Sequence, residues 1–466
     1  MSDIKYDFGL IGLGVMGKNF ILNVADHGFG AMGYDLDQEK VDTLIKEGVG
    51  KKVTATTDLS AFLGQLALPR KIMLLVPAGK PVDAVIENLK PHLDKGDIII
   101  DGGNSFYTDT DRRFEYLAKD EIHFFGSGVS GGAKGARRGP SIMPGGDKAA
   151  YEYIKPIFEA ASAKVNGEPC VAHLGNGSAG NYVKMVHNGI EYGLMQLISE
   201  AYDLMKNVLG MSNAEMKQVF EEWNASELGS FLVEITADIL GRNDDEGKGE
   251  LVDAILDKAK QKGTGKWTSQ NAMDLGMPIP TIDASVRMRE ISSFKDLRVE
   301  AAKLYPKNTQ AVDLTVIDIK EALYLAYILT YAQGLQQLTE ASKEYNYGLN
   351  LEVIAKIWRG GCIIRATFLE EIRQAYDRNP DLTNLLMDSK IADVVKPLIP
   401  SLEKTSSAGM AQGIPVSAFA ASLNYFNAFR SDRLPLNLIQ AQRDHFGSHT
   451  YERLDKPGIF HTEWED

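Results

Sequence analysis

The chain has almost no cysteine. Cys170 and Cys362 are the only two in 466 residues. That excludes a disulfide framework and points to a reducing compartment. Positive charge is also short: 50 Lys and Arg face 63 Asp and Glu, a net charge of −13. Such a balance argues against general nucleic-acid or acidic-membrane binding, although a local basic pocket remains open. No apolar run approaches the length of a membrane span. The stretch Met1-Ser2-Asp3-Ile4-Lys5-Tyr6-Asp7 has no apolar signal core and leads straight into a strand pattern, so the expectation is a soluble cytoplasmic chain. The eight histidines show no zinc-like spacing, and no metal is expected. What is present is ordinary: 44% hydrophobic and 24% charged residues, enough for two or three domains with sizeable cores.

The first motif lies near the start. Asp7-Phe8-Gly9-Leu10-Ile11 reads as a buried strand, followed at once by Gly12-Leu13-Gly14-Val15-Met16-Gly17 and a helical pattern through His27. In a strand–turn–helix context this glycine spacing suits a dinucleotide. The first glycine permits the turn, the second admits a pyrophosphate, and the third packs helix on strand. The next strand, Gly30 to Tyr34, ends at Asp35, placed to accept a ribose 2′-hydroxyl. Further strands are read at 71–76, 97–101 and 123–128, alternating with helices. They imply a doubly wound, mostly parallel sheet whose ligand edge carries the loops at Pro77, Asn104 and Ser130. Val129-Ser130-Gly131-Gly132 can act as an anion nest. The basic run Lys134 to Arg138 reads as a solvated loop. Gly175 to Gly180 marks a boundary.

Beyond Asn181 the patterns are helical. Lys184, Asn188, Glu191 and Tyr192 stand at i, i+4, i+7 and i+8, with His187 beside them. So many polar groups on one helical face either face water or pair with each other and a ligand. A faint repeat joins Met195–Ala201 to Leu335–Ala341. Each is followed by a tryptophan, Trp223 or Trp358, and then by Ser230-Phe231-Leu232 or Thr367-Phe368-Leu369. An offset of about 140 residues means a duplicated half rather than a short-period solenoid. Between the halves, Gln261-Lys262-Gly263-Thr264-Gly265-Lys266-Trp267-Thr268 reads as a linker that suits a phosphate, followed by Arg287 and Arg289 on a helix. The end of the chain, from Asn437, begins as a helix and passes into a tail with Tyr451, Phe460 and Trp464 as anchors. It runs out at Glu463-Trp464-Glu465-Asp466.

These pieces together resemble the 6-phosphogluconate dehydrogenase (decarboxylating) family. The carriers are the glycine motif at 12–17, Asp101-Gly102-Gly103-Asn104-Ser105 and Gly126–Gly132. Gly139–Gly146, Lys184–Tyr192, Gln261–Thr268, Trp358–Arg365 and Gln440–Asp444 complete the set. The resemblance implies an α/β Rossmann-type N-terminal domain (1–178) and a large all-α, duplicated helical domain (179–434). It also implies a C-terminal tail (435–466) that reaches the partner of a homodimer. It implies oxidative decarboxylation of 6-phosphogluconate to ribulose 5-phosphate, a step of the pentose phosphate pathway. Lys184 is then the base and Glu191 the acid, with His187 and Asn188 touching substrate and nicotinamide. Asn104, Ser130, Gly131 and Gly132 match the carboxylate end of the sugar acid. Tyr192, Lys262, Thr264 and Arg289 match the phosphate site, with Arg443 and His449 supplied by the other subunit. Gly12, Leu13, Gly14, Val15, Met16, Gly17, Asp35, Val76, Ala78 and Asn104 match the cofactor site.

The chain departs from the family pattern. Asp35, Leu36 and Asp37 stand where Asn-Arg-Thr usually grips the 2′-phosphate of NADP, and Pro77 replaces a lysine. NAD is therefore the expected cofactor, with NADP second. Ala133-Lys134 replaces a glutamate pair, Arg138 a tyrosine and Leu194 an aspartate. A paralogue acting on a related sugar acid is the alternative. A ligand-binding pseudoenzyme would require loss of the acid or the base, and both are present.

Overall fold

The computed structural model describes residues 5–307 and 309–464. The expectations for Met1–Ile4 and for Glu465 and Asp466 lie outside them. The N-terminal half alternates strands and helices: β1 (Phe8–Ile11), α1 (Val15–Asp26), β2 (Ala31–Tyr34), α2 (Gln38–Glu47), β3 (Val53–Thr56), α3 (Leu59–Gly64) and β4 (Lys71–Leu74). It continues with α4 (Lys80–Leu89), β5 (Ile98–Asp101), α5 (Tyr107–Ala118), β6 (His123–Ser130), α6 (Gly132–Arg138), β7 (Ser141–Gly145) and α7 (Lys148–Ala161). A small hairpin, β8 (Lys164–Val165) and β9 (Glu168–Pro169), precedes the helical half.

The seven-stranded sheet has the order β3-β2-β1-β4-β5-β6-β7. Every pairing is parallel except β6 with β7. The central strands are continuous apolar runs because helices cover both faces. Phe20 and Phe158 pack on one side, Leu117 and Phe124 on the other. The order reverses between β1 and β4, which opens a crevice at the carboxyl edge.

Two expectations need correction here. The basic run Lys134–Arg138 is not a solvated loop but part of α6. Asn23 of α1 donates to Ala136 O at 3.1 Å, and Arg137 pairs with Asp26 at 2.5 Å. Val129 and Ser130 are not loop residues either, because β6 runs on through Ser130. Pairing with β7 carries it there.

The helical half contains α8 (Ala179–Asn207), α9 (Asn213–Asn224), α10 (Phe231–Leu240), α11 (Leu251–Ala254), α12 (Thr264–Asp274), α13 (Pro280–Ser292) and α14 (Lys295–Leu304). Then come α15 (Val316–Glu344), α16 (Leu351–Trp358), α17 (Phe368–Arg378), α18 (Ser389–Val395), α19 (Ile399–Ala411), α20 (Ser417–Phe429) and α21 (Leu436–Gly447). The faint repeat has a structural counterpart. The paired segments lie on α8 and α15, each 29 residues long and packed on one another. The two tryptophans close α9 and α16. The starts of α10 and α17 touch, with Phe231 N donating to Arg365 O at 3.0 Å and Thr367 N to Gly229 O at 2.8 Å. Ser212 and Thr315 open α9 and α15 with capping boxes. Among the described residues no helix is long and apolar enough to cross a membrane.

The tail folds on itself. After α21 come β10 (Tyr451–Glu452) and β11 (Ile459–Phe460), an antiparallel pair. Asp444 is their anchor, accepting from Thr450 N (2.9 Å), His461 Nδ1 (2.9 Å), Thr462 N (3.1 Å) and Trp464 Nε1 (2.9 Å). Burial alone would raise its pKa, but these donors hold it down at about 2. A depressed carboxylate stabilises the tail above its unfolded value of 3.8 and loses that contribution as pH falls toward 2. Asp444→Asn is expected to expose the 445–464 segment to limited proteolysis at neutral pH while the body stays intact. Equal cleavage of variant and parent would refute the anchoring role.

Candidate active site

At the N-terminus of α1, the Cβ of any residue at position 17 would lie 1.9 Å from Gly12 O, so helix and strand meet only because Gly17 has none. Above Gly14 nothing stands within 4 Å, and α1 has no side-chain cap. The first-turn N–H groups are thus free for an anion. Beside them is a cavity of 170 Å³ lined by Ile11, Tyr34, Asp35, Leu36, Val76 and Leu89. Asp35 is held at its rim: Oδ2 accepts from Leu13 N at 2.7 Å and Oδ1 from Asp37 N at 3.0 Å. Lys40 Nζ lies 3.5 Å from both Asp35 and Asp37. Leu36 is 83% exposed. Open glycine backbone, a helix N-terminus and an acceptor at the strand end fit a nicotinamide dinucleotide. Ala78 and Asn104 are exposed on neighbouring turns of the same sheet edge.

The polar face of α8 is not solvated. Lys184 is 5% exposed, and His187 and Asn188 are buried. β6 supplies one wall, because a Cβ at Gly128 would fall 2.3 Å from Lys184 Cβ. Trp358 of α16 supplies another, edge-on to the His187 ring at 5.6 Å between centroids. Lys184 Nζ donates to Asn188 Oδ1 at 2.6 Å and lies 3.3 Å from His187 Nδ1. His187 Nδ1 is 3.1 Å from Asn188 Oδ1, and its Nε2 is 3.2 Å from Ser130 Oγ. Ile363 N donates to that same Oγ at 3.3 Å. The geometry accommodates a proton on His187 Nδ1, donated to Asn188 Oδ1, with Nε2 then accepting from Ser130 Oγ.

Electrostatics follow from this enclosure. Burial lowers the Lys184 pKa, against the opposing pull of Glu191. Burial likewise pushes His187 well below its usual range, aided by Lys184. Glu191 moves the other way: burial raises it although Lys184 and Arg289 pull it down. Its side chain is still 21% exposed, with Oε2 3.9 Å from His187 Nδ1, so it stands at the mouth of the pocket. The result is a lysine biased toward the neutral amine beside a carboxyl biased toward the acid.

Two helical turns beyond Lys184, Tyr192 lies under Arg289, whose guanidinium is 3.5 Å from the ring centroid. The expected linker at 261–268 is only partly one, since α12 begins at Thr264. Thr268 Oγ1 fastens that helix to Met185 O at 2.9 Å. Thr264 is buried and Lys262 exposed. Gly131 caps α6 against the turn at Gly361, with Gly132 following. The structure thus gathers Lys184, His187, Asn188, Glu191, Ser130 and Tyr192 with Arg289. It does not bring Arg443 or His449 to them within one chain: both are exposed, Arg443 bonds Gln440 and His449 meets Phe446. Sequence reading gave Trp358 and Ile363 no role. Their motif was visible, but nothing in its composition shows that it roofs a helix in another part of the chain. Among the described residues no cluster of three or more His, Cys, Asp or Glu is placed to hold a metal ion.

Residues 7–175 match the NAD binding domain of 6-phosphogluconate dehydrogenase, and residues 180–464 match the C-terminal domain of the same enzyme. A Bacillus subtilis relative described as 6-phosphogluconate dehydrogenase, NADP(+)-dependent, decarboxylating, is 53% identical over 465 residues, covering 99% of both chains. The Escherichia coli 6-phosphogluconate dehydrogenase, decarboxylating, is 50% identical, covering 99% of this chain and 100% of its own. The Plasmodium falciparum 6-phosphogluconate dehydrogenase structure, studied as the apo form, with NADP+ and with 6-phosphogluconate, superposes with a TM-score of 0.95. It is 47% identical, covering 98% of this chain and 100% of that one. A glycine turn shaped for a dinucleotide, a buried lysine whose pKa is lowered near a carboxyl whose pKa is raised, and agreement along the whole length lead to one conclusion: this chain belongs to the 6-phosphogluconate dehydrogenase family.

Proposed function

We propose that the chain catalyses the oxidative decarboxylation of 6-phosphogluconate to ribulose 5-phosphate and carbon dioxide, as a cytoplasmic homodimer, with NAD preferred over NADP. The observation that carries the reading is the buried Lys184–His187–Asn188 triangle, in which burial lowers the lysine's pKa toward the neutral amine. The nicotinamide, when bound, accepts the hydride from C3. Lys184 takes the C3 hydroxyl proton, and Asn188 holds its nitrogen in line. Loss of the carboxylate leaves its electron pair on the substrate, and Lys184 returns its proton to the former C3 oxygen. Glu191, at the mouth, protonates C1 of the resulting enediol. His187, fixed by Ser130, orients the hydroxyls. Arg289 and Tyr192, with Lys262 and Thr264, receive the phosphate, and Arg443 and His449 arrive from the second subunit. The division is 1–178 for the dinucleotide-binding domain, 179–434 for the helical substrate and dimerisation domain and 435–466 for the tail that reaches the partner subunit, with Asn104 and Ser130 of the first unit also contacting the substrate.

NAD preference rests on Asp35 and Asp37, whose carboxylates oppose a 2′-phosphate, and on Leu36, which offers it no donor. The Bacillus relative carries the opposite preference in its name. Mixing the protein with 6-phosphogluconate and either dinucleotide, while following reduced cofactor and released carbon dioxide, tests the whole reading. Absence of turnover, or reduction without carbon dioxide, would overturn it.

The pH profile should be bell-shaped. Below the lowered pKa of Lys184 the base is protonated and kcat/KM falls. Above the raised pKa of Glu191 the acid is ionised and the rate falls again. Glu191→Gln should lower kcat and remove the alkaline limb; an unchanged limb would separate Glu191 from the acid role.

A further inference from the structure

Arg113, on α5, is 1% exposed, and its guanidinium is spent on two turns. Nε donates to Asp83 Oδ1 at 2.8 Å and Nη2 to Gly79 O at 3.0 Å, both at the start of α4. Nη1 lies 3.3 Å from Asp101 Oδ2 and 3.3 Å from Ser105 Oγ, on either side of Asn104. Asp101 also accepts from Gly103 N at 3.0 Å and Ser105 Oγ at 2.6 Å. From above, Asn181 on α8 donates to Gly103 O at 3.3 Å and accepts from Thr110 Oγ1 at 3.0 Å. Its carboxamide fills the space that a Cβ at Gly126 would need, 2.0 Å away. Asn181 stands three residues before Lys184.

A buried ion pair is weak evidence of a stabilising role, because apolar filling often serves as well. The partners of Arg113 are informative for a different reason. Two carboxylates, a carbonyl and a hydroxyl come from the two turns that carry Val76, Ala78 and Asn104. A planar fork fixes angles as well as distances.

We propose that Arg113 is a positioning residue for hydride transfer: it locks the turns after β4 and β5 to one another, and Asn181 ties the locked pair to the catalytic helix. The proposal rests on the function given above. The locked turns set the depth at which a nicotinamide ring and the substrate's C3 meet, and a misplacement of about 1 Å is enough to cost on the order of 100-fold in rate.

The test uses Arg113→Met, which keeps the stem, and Ser105→Ala, which removes one node without leaving a charge unpaired. Amide hydrogen exchange, affinity for the reduced dinucleotide by fluorescence, kcat, KM and the isotope effect with substrate deuterated at C3 are measured for both. Faster exchange is expected only in peptides spanning 76–80 and 102–107. A fall in kcat of about 10- to 100-fold for Arg113→Met, a larger isotope effect and a KM for the sugar acid within about threefold of the parent complete the expectation. Ser105→Ala should show the same pattern at smaller amplitude. Unchanged kcat and isotope effect overturn the proposal, as does exchange accelerated across the whole domain. If Arg113→Met does not fold, Ser105→Ala decides alone. If the parent shows no turnover, the function is wrong, and Arg113 is judged by dinucleotide affinity, where an unchanged value overturns its role.

Discussion

Lys184→Met is expected to lower kcat by about 10³- to 10⁴-fold, in the upper part of the range for a lost general base, with the dinucleotide affinity unchanged. Methionine preserves the stem that packs on β6 at Gly128 and removes only the amine. Lys184→Arg should be as inactive, because a guanidinium holds its proton at any working pH. The pair separates proton transfer from charge: an active arginine variant would mean that Lys184 acts as a fixed cation. A second readout runs the other way. Holding an amine in a dry pocket is costly, so Lys184→Met should melt no lower than the parent. A variant that is dead and also much less stable would be a folding defect and would say nothing of the base.

The other large effect concerns the cofactor. Replacing Asp35, Leu36 and Asp37 together by Asn, Arg and Thr should shift the ratio of kcat/KM for NADP over NAD by about 10²- to 10⁴-fold, from two removed carboxylates and one added guanidinium at roughly 1–2 kcal/mol each. Lys40 matters to the outcome. It now lies 3.5 Å from both carboxylates, and once they are gone it becomes a second cation near the incoming phosphate. A parent enzyme already faster with NADP would sink the NAD assignment, and Lys40 would be the residue to examine first.

Much of the cofactor half was readable because its signals are local. A four-residue apolar run, a glycine turn and an acidic strand end all fall within a short window. β3 was missed because it is short and half-buried, with weak alternation in Val53–Thr56. β7 was missed because Pro144 and Gly145 look like loop; as an antiparallel edge strand it tolerates both. The helix α6 is not legible locally because two of its seven residues are glycines and its basic run suggests solvent. It stands through contacts from α1, more than a hundred residues away, and no local propensity can report that. At the catalytic centre the reverse holds. The stripe from Lys184 to Tyr192 was plain, but whether it faced water was not. Burial comes from β6, α12 and Trp358, none of them neighbours in sequence. The tail residues Arg443 and His449 mark a further limit, since one chain does not place them at the site.

The two long helices of the repeat show how unevenly a duplication can divide its burdens. At the offset of the repeat, Lys184, His187, Asn188 and Glu191 fall opposite Tyr324, Tyr327, Ile328 and Tyr331, and all four of these are buried. One copy spends conformational stability to keep an amine and an imidazole in the dark. Its twin, lying against it, carries apolar and aromatic side chains at the matching positions, and the Tyr331 hydroxyl donates to Ile364 O at 2.6 Å, in the segment that roofs the site. Mutational tolerance should therefore be asymmetric. Conservative changes on α15 would register as melting temperature, whereas equivalent changes on α8 would register as turnover, so a survey scored by stability alone would overlook the half of the repeat to which the chemistry is proposed to belong.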